Sequence, residues 1–260
     1  MTSGRVAAAL RSAGTLAALV ACSVVVLAGP ASGRAGARAG SPGYVLIYAG
    51  PGTCDGCAEA VGAVADAAGL TVRYVSQPAR VPRLLGGALA FVVPGTGDNI
   101  EAMRVAFNRT VGPALRTYLR SGGRYWGICG GAYLAVRRYW ATENDQVAAL
   151  GIVPADAETY GAGSAARLER VRWNGSLRWL YFQSGPSFTL TRRPPGLRVL
   201  ATYADGSIAA LSYRYGNGRV ILSGPHPEAT QDWLVEDGLP TVRWQPTFPL
   251  AVAMLEELVS

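Results

Sequence analysis

The sequence is poor in the side chains that bind metal ions tightly. It has one histidine and four cysteines among its 260 residues. A structural zinc site needs four such ligands in a closed tetrahedral set, with characteristic spacing along the chain. That spacing is absent, and we expect neither a metal nor an organic cofactor.

Charged residues are also few. They make up 16% of the chain against 50% hydrophobic residues, a balance that favours a folded domain with a large core over disorder. The net charge of +7 comes from arginines that are scattered, as in the pairs at 137–138 and 192–193, rather than arranged in a stripe with aromatic residues between them. We therefore expect a solvated basic surface and no nucleic-acid partner.

Residues 1–33 have the three parts of a secretory leader. Arg5 and Arg11 give a positive start, residues 16–28 form an apolar run, and small residues follow as far as residue 33. The apolar run is too short for a comfortable membrane span. The segment predicts export from the cytoplasm.

The form of attachment after export stays open. The four residues that end at Cys22 resemble a bacterial lipobox, in which the cysteine is acylated after cleavage, while ordinary leader cleavage further along fits equally well. Residues 34–42 are rich in Gly, Ala, Ser and Arg and predict a flexible tether. We expect a protein that is secreted or attached to the outer face of the cell membrane, in contact with the membrane only through a lipid on Cys22 or an uncleaved leader.

Residues 43–260 predict one α/β domain. In the first half, short apolar runs that end in glycine or proline turns alternate with amphipathic segments. This alternation indicates an open, doubly wound, mainly parallel sheet of the flavodoxin-like type. We predict strands at 44–48, 70–75, 89–93 and 124–128, and helices at 58–68, 103–120 and 130–140.

The second half has a different pattern. Short apolar runs are separated by turn signals such as Asp205-Gly206, which predicts antiparallel additions and then a return to the main sheet. The chain closes with a helix at 248–259. The strands predicted here are 168–173, 177–182, 197–203, 208–215 and 220–222.

Cys129 lies in the sequence Gly127-Ile128-Cys129-Gly130-Gly131, between a predicted strand and a predicted helix. A nucleophile elbow needs this context, because its strained turn requires small neighbours and lifts the side chain above the sheet. The start of the helix would stabilise a thiolate, and the N–H of Gly130 would point to where an oxyanion forms. A buried structural cysteine in a tight turn is the alternative.

The only histidine provides a base for this thiol. His226 follows a predicted strand, so it lies at the same edge of a parallel sheet as Cys129, where the sites of open α/β sheets assemble. Glu228, two residues further on, is positioned to hold the imidazole in one tautomer.

These motifs resemble the class I glutamine amidotransferase-like superfamily, and in particular the amidotransferase-like domain at the N-terminus of eukaryotic biotin–protein ligases. The resemblance implies that Cys129 is the nucleophile, His226 the base and Glu228 its orienting partner. It also implies that Gly130, together with Gly95 or Thr96, supplies the oxyanion N–H groups. The segments that carry the likeness are 48–52, 93–95, 127–133, 183–186 and 224–228.

Cys54 and Cys57 form a Cys-x-x-Cys motif between the first strand and the first helix. The thioredoxin arrangement is similar, which makes a thiol–disulfide oxidoreductase an alternative function. In an oxidising compartment the other interpretation is a local disulfide that staples the loop. In a parallel sheet this loop lies at the same edge as Cys129, where the pair could shape or cover a pocket or exchange disulfides with Cys129.

The predicted function is hydrolysis of an amide bond through a thioester on Cys129. The substrate would be a small molecule or a peptide that carries the amide. The alternatives are the oxidoreductase and a catalytically silent binding protein. Asp98 and Asn99 are candidates for substrate contact, whereas Trp126, Tyr133 and Tyr181 are expected to pack in the core.

Overall fold

The computed structural model describes residues 43–97, 100–242 and 244–260. The predicted leader and tether, the lipidation candidate Cys22, and Asp98 and Asn99 lie outside the described residues. The strands are β1 (Tyr44–Tyr48), β2 (Thr71–Val75), β3 (Ala88–Val93), β4 (Arg124–Ile128), β5 (Arg138–Thr142), β6 (Asp145–Ala148), β7 (Ala155–Thr159), β8 (Arg167–Trp173), β9 (Ser176–Phe182), β10 (Pro186–Leu190), β11 (Arg198–Thr202), β12 (Ile208–Tyr215) and β13 (Gly218–Ser223).

The helices lie mainly in the first half and at the end of the chain. Short 3-10 turns flank one helix, and a π-helical turn, Phe107–Val111, joins two others. The α-helices are α1 (Cys57–Ala67), α2 (Val81–Leu84), α3 (Ile100–Ala106), α4 (Gly112–Arg120), α5 (Gly130–Ala135), α6 (Gln231–Glu236) and α7 (Phe248–Val259).

Five strands pair in parallel in the order β2-β1-β3-β4-β13. The last of them, β13, returns from the far end of the sequence to lie beside β4, with Ser223 opposite Ile128. Since parallel strands end at the same edge of a sheet, the segments that follow β1, β3, β4 and β13 meet there.

The core lies on both faces of this sheet, because side chains alternate along each strand. On one face, Val45 and Ile47 of β1 pack in a cluster with apolar residues of α1 and α7. On the other, Leu46 and Tyr48 pack with apolar residues of α3, the π-helical turn and α4. The predicted doubly wound α/β class is confirmed.

The second half extends the sheet with antiparallel strands, as predicted. β12 pairs antiparallel with β13, β10 with β12, and β7 with β10. A side branch runs from β12 through β11 and β8 to β9. An isolated antiparallel bridge between Tyr181 and His226 places β9 beside the segment that follows β13.

The predicted helix at 130–140 is wrong in its second half. The helix ends at Ala135, and Val136 is extended with ψ 177°. The N–H groups of Leu150 and Ile152 bond the carbonyls of Leu134 and Ala135 at 2.9 and 3.0 Å, so a following segment takes the place of the next helical turn. Residues 138–142 instead form β5, which pairs with β6 and β7.

The predicted helix at 103–120 is interrupted. It consists of α3, the π-helical turn Phe107–Val111 and α4. Pro113 lies in the first turn of α4, where the missing N–H of proline costs no helical hydrogen bond. The proline therefore fits the start of α4 after the break.

Candidate active site

Cys129 is placed by the turn between β4 and α5. Its backbone has φ 49° and ψ −106°, a conformation with positive φ that residues other than glycine rarely adopt. Its N–H bonds Ser223 O at 2.8 Å, which ties the turn to the end of β13. The thiol lies 3.5 Å from Gln183 O, and the residue is 7% exposed.

The glycines after Cys129 are required by the close approach of residues 93–96 to the turn. A Cβ on Gly131 would lie 1.9 Å from Val93 O, and one on Gly130 would lie 2.1 Å from Thr96 Oγ1. The N–H of Gly131 bonds Pro94 O at 3.0 Å. The turn is therefore packed directly against the segment that follows β3.

His226 and Glu228 follow β13 and form a buried pair. His226 Nδ1 lies 2.8 Å from Glu228 Oε1, with the two residues 3% and 0% exposed. The backbone N–H of His226 bonds Tyr181 O at 2.9 Å, which fixes the segment against β9. Because Nδ1 faces Glu228, Nε2 is the ring nitrogen left for another partner.

The charges around His226 favour its protonated form. Burial lowers the pKa of the imidazole, but the negative charges of Glu228 and Cys129, with hydrogen bonds to both, outweigh burial and raise the pKa to about 10. The structure thus brings Cys129, His226 and Glu228 together, and the surroundings of His226 favour its imidazolium form.

Residues 94–97, which we call the loop after β3, lie between the elbow and the disulfide. Cys54 and Cys57 form a disulfide with their Cα atoms 5.5 Å apart. A Cβ on Gly95 would lie 2.7 Å from His226 Cε1 and 2.9 Å from Cys54 Sγ. Within the part of the chain that the structure describes, Cys129 is the free cysteine.

A cavity of about 670 Å³ joins these groups. Tyr133 and Tyr181 line it, contrary to the expectation that they only pack in the core, whereas Trp126 is fully buried in the core as expected. The Tyr133 hydroxyl bonds Thr159 Oγ1 and Ser184 O at 2.9 and 3.1 Å, and thereby holds α5 against the far wall. The lining residues are Cys54, Asp55, Cys57, Thr96, Gly97, Ile100, Glu101, Cys129, Gly130, Tyr133, Tyr139, Trp140, Ala141, Thr159, Ser164, Tyr181, Gln183, Ser184, His226, Trp233, Glu236 and Asp237.

The helix α6 supplies a wall that sequence reasoning missed. Trp233 stands edge-on to the rings of Tyr181 and His226, with centroids 5.2 and 5.5 Å away. Asp237, just beyond the helix, accepts a hydrogen bond of 2.6 Å from the Tyr181 hydroxyl. Six residues of amphipathic pattern are too few to mark such a helix in a sequence.

The cavity is acidic although the chain is basic. No arginine in the described part of the chain lines it. Four carboxylate residues do, namely Asp55, Glu101, Glu236 and Asp237. Among the described residues, no group of three histidine, cysteine or carboxylate side chains is arranged to hold a metal ion. Nor does any helix in the same residues have the length and apolarity of a membrane span.

Comparison with known proteins finds a similarity to glutamine amidotransferases. Residues 63–167 match the CobB/CobQ-like glutamine amidotransferase domain family. Two solved structures have similar folds: a glutamine amidotransferase with a TM-score of 0.57, 21% identical, covering 76% of this chain and 100% of that one, and a glutamine amidotransferase from Thermotoga maritima with a TM-score of 0.60, 14% identical, covering 85% and 99%. Residues 63–167 thus resemble a class I glutamine amidotransferase domain in sequence, and residues 43–260 resemble these amidotransferases in fold.

A curated relative agrees with the more particular resemblance. The biotin–protein ligase of Schizosaccharomyces pombe is 27% identical over 159 residues, which are 53% of this chain and 25% of the ligase. The chain therefore spans about a quarter of that relative. The family match includes Cys129 and the loop after β3 but ends before His226 and Glu228.

Proposed function

We propose that this protein hydrolyses an amide bond, with Cys129 as nucleophile, His226 as proton carrier and Glu228 as the group that orients His226. The amidotransferase-like domain supports a glutamine amidotransferase-type function, and hydrolysis of the amide is the chemistry its site residues provide. The observation that carries the proposal is the buried His226–Glu228 pair, 2.8 Å from Nδ1 to Oε1, beside a cysteine held at φ 49° in a strand–helix turn.

The first half-reaction forms a thioester. The Cys129 thiolate attacks the amide carbonyl, so that a carbon–sulfur bond forms and the carbonyl oxygen takes the negative charge. Protonated His226 then gives its proton to the amide nitrogen, the carbon–nitrogen bond breaks, and the amine leaves. A His226 pKa raised to about 10 keeps this proton available at neutral pH.

The second half-reaction returns the enzyme to its starting state. Once Cys129 is acylated, its negative charge no longer raises the pKa of His226, so the imidazole that has given up its proton stays neutral and is available to take a proton from water. The hydroxide attacks the thioester, the carbon–sulfur bond breaks, and Cys129 leaves as a thiolate while the acid product departs.

Two backbone N–H groups are suited to the oxyanion. Gly130 is the first residue of α5, where N–H groups have no partner within the helix. Thr96 packs its side chain directly against Gly130. We assign the second donor to the N–H of Thr96 rather than Gly95, because the Gly95 carbonyl bonds Cys54 N and the Gly95 N–H points to the same side of the chain.

We further propose that the substrate is a small-molecule or peptide amide met outside the cytoplasm. The leader-like residues 1–33 support export. Ammonia delivery to a synthetase partner, a task that depends on ATP, fits an exported protein poorly. The thiol–disulfide oxidoreductase alternative is not favoured, since the family match and the fold are those of amidotransferases.

Alkylation by iodoacetamide tests the nucleophile without knowledge of the substrate. We expect rapid labelling of Cys129 at pH 7, mapped by peptide mass spectrometry, and labelling slowed tenfold or more in His226→Ala. Glu236→Gln, which alters the same cavity without touching the pair, is the matched control. Slow labelling that is insensitive to His226 would contradict the proposal and favour a catalytically silent binding protein, and fast labelling confined to Cys54 would favour redox chemistry.

A further inference from the structure

The loop after β3 is held on one side by the nucleophile elbow. Pro94 O accepts a bond of 3.0 Å from Gly131 N, and the Thr96 side chain occupies the space where Gly130 has no Cβ. The position of this loop relative to the elbow therefore sets the distance between the N–H groups of the loop and the Cys129 sulfur.

On its other side the same loop is held by residues 52–57, which we call the disulfide loop. Cys54 N bonds Gly95 O at 3.2 Å, and Gly97 N bonds Gly52 O at 3.1 Å. These two bonds flank an antiparallel bridge between Thr53 and Thr96. In a bridge of this kind the N–H of the central residue points away from the partner strand. The pairing therefore directs the Thr96 N–H away from the disulfide loop.

The disulfide also contacts the loop through its sulfur atoms. A Cβ on Gly95 would lie 2.9 Å from Cys54 Sγ and 3.3 Å from Cys57 Sγ. The same Cβ would lie 2.7 Å from His226 Cε1. Gly95 is thus packed between the disulfide and the imidazole of the candidate site.

Apart from the cross-link, the disulfide loop is held by backbone hydrogen bonds, such as Cys57 N to Cys54 O at 3.2 Å. Gly52 and Gly56 adopt φ values of 92° and 70°, and glycine can leave such a conformation at little steric cost once the cross-link is broken. Cys57 is the first residue of α1, so the bond from Cys54 ties the loop to a helix that packs on the core.

We propose that the Cys54–Cys57 disulfide is a positioning element of the oxyanion site, so that its reduction slows acyl transfer to Cys129 without slowing alkylation of Cys129. This inference rests on the proposed function. Iodoacetamide reacts by displacement at a saturated carbon and forms no oxyanion. An activated ester must pass through one, and loss of a well-placed donor costs about a hundredfold or more, with partial misplacement costing less.

The experiment compares these two probes on the full chain. The rates of acetylation by p-nitrophenyl acetate and of alkylation by iodoacetamide are measured at Cys129 by acid quench and peptide mass spectrometry. The forms compared are the oxidised protein, Cys54→Ser/Cys57→Ser, and oxidised protein treated with a phosphine, which becomes its oxide as the disulfide becomes two thiols. If the double variant fails to fold, the comparison is made between the oxidised and the reduced wild type.

We expect acetylation to fall tenfold to a hundredfold in the double variant and in the reduced protein, while alkylation changes less than about twofold. The phosphine should leave the double variant unchanged, which is the internal control. Parallel losses in both rates would show a merely structural disulfide and overturn the inference, as would no loss in either.

The failure of the proposed function would look different. An oxidised wild type in which Cys129 alkylates rapidly but is not acetylated overturns the oxyanion site while leaving the thiolate intact. An oxidised wild type in which Cys129 reacts with neither probe overturns the proposed nucleophile itself.

Discussion

Replacement of Glu228 by glutamine should lower the pKa of His226 by an amount that a titration detects clearly. Glutamine keeps the shape of the side chain and removes its charge. In the wild type, burial lowers the pKa of His226 but Glu228 and Cys129 raise it to about 10, and the charge of Glu228 is the largest of the raising contributions. The chain has only one histidine, so its imidazole resonances need no assignment.

The magnitude follows from that pKa. A rise from the ordinary 6.5 to about 10 corresponds to about 5 kcal/mol of preference for the imidazolium. Because the Glu228 charge is the largest of the raising contributions, its loss should bring the midpoint well below 10. In Glu228→Gln combined with Cys129→Ala only burial remains, and the midpoint should fall below 6.5.

The assay is a titration of the imidazole ¹⁵N shifts by NMR on protein made without a histidine tag. Glu236→Gln is the control, because Glu236 lines the cavity but is not among the groups that raise the pKa of His226. A midpoint near 10 in Glu228→Gln, or one above 6.5 in the double variant, would refute the electrostatic account of the site.

Three further predictions follow from the same geometry. Gly95→Ala places a Cβ 2.7 Å from His226 Cε1 and should slow acetylation of Cys129 by p-nitrophenyl acetate about tenfold or more, whereas Gly86→Ala, with nothing within 4 Å, should leave the rate unchanged. The acidic lining should make a cationic methanethiosulfonate label Cys129 faster than an anionic one, and Glu236→Gln with Asp237→Asn should reduce that ratio. Because the folded-state pKa of His226 lies above its ordinary value, the stabilising contribution is complete below about pH 6.5 and is lost as the pH rises toward 10. The urea midpoint of the wild type should therefore fall across this window more than that of Glu228→Gln.

The sheet core could be predicted from the sequence because its strands are buried on both faces. Such strands appear as continuous apolar runs between turn residues, and the predicted bounds 44–48 and 124–128 coincide with β1 and β4. The final helix was likewise predicted at its observed bounds, 248–259. In each case the local pattern and the tertiary environment favour the same structure.

The elements that were missed lack such agreement. β6 has an exposed residue at each end and half-buried residues between them, so no apolar alternation marks it. Residues 138–140 continue the spacing of a helix, and only pairing with strands elsewhere in the chain makes them a strand. Pairing of this kind is a tertiary effect that propensity does not capture.

The candidate site was predictable only in part for a similar reason. The positions of Cys129 and His226 after parallel strands follow from topology. The role of Tyr133 and Tyr181 in the cavity does not, because a buried aromatic ring beside a cavity and one inside the core have the same sequence pattern.

The cavity is lined by residues from both the parallel and the antiparallel parts of the sheet. Cys129, His226 and the loop after β3 all follow strands of the parallel half, whereas Tyr139, Trp140 and Thr159, which also line the cavity, come from β5 and β7. These strands pair with one another and reach β13 only through β10 and β12. Under the proposed function, we expect substitutions in β5 and β7 to change substrate preference while Cys129, His226 and Glu228 keep their geometry.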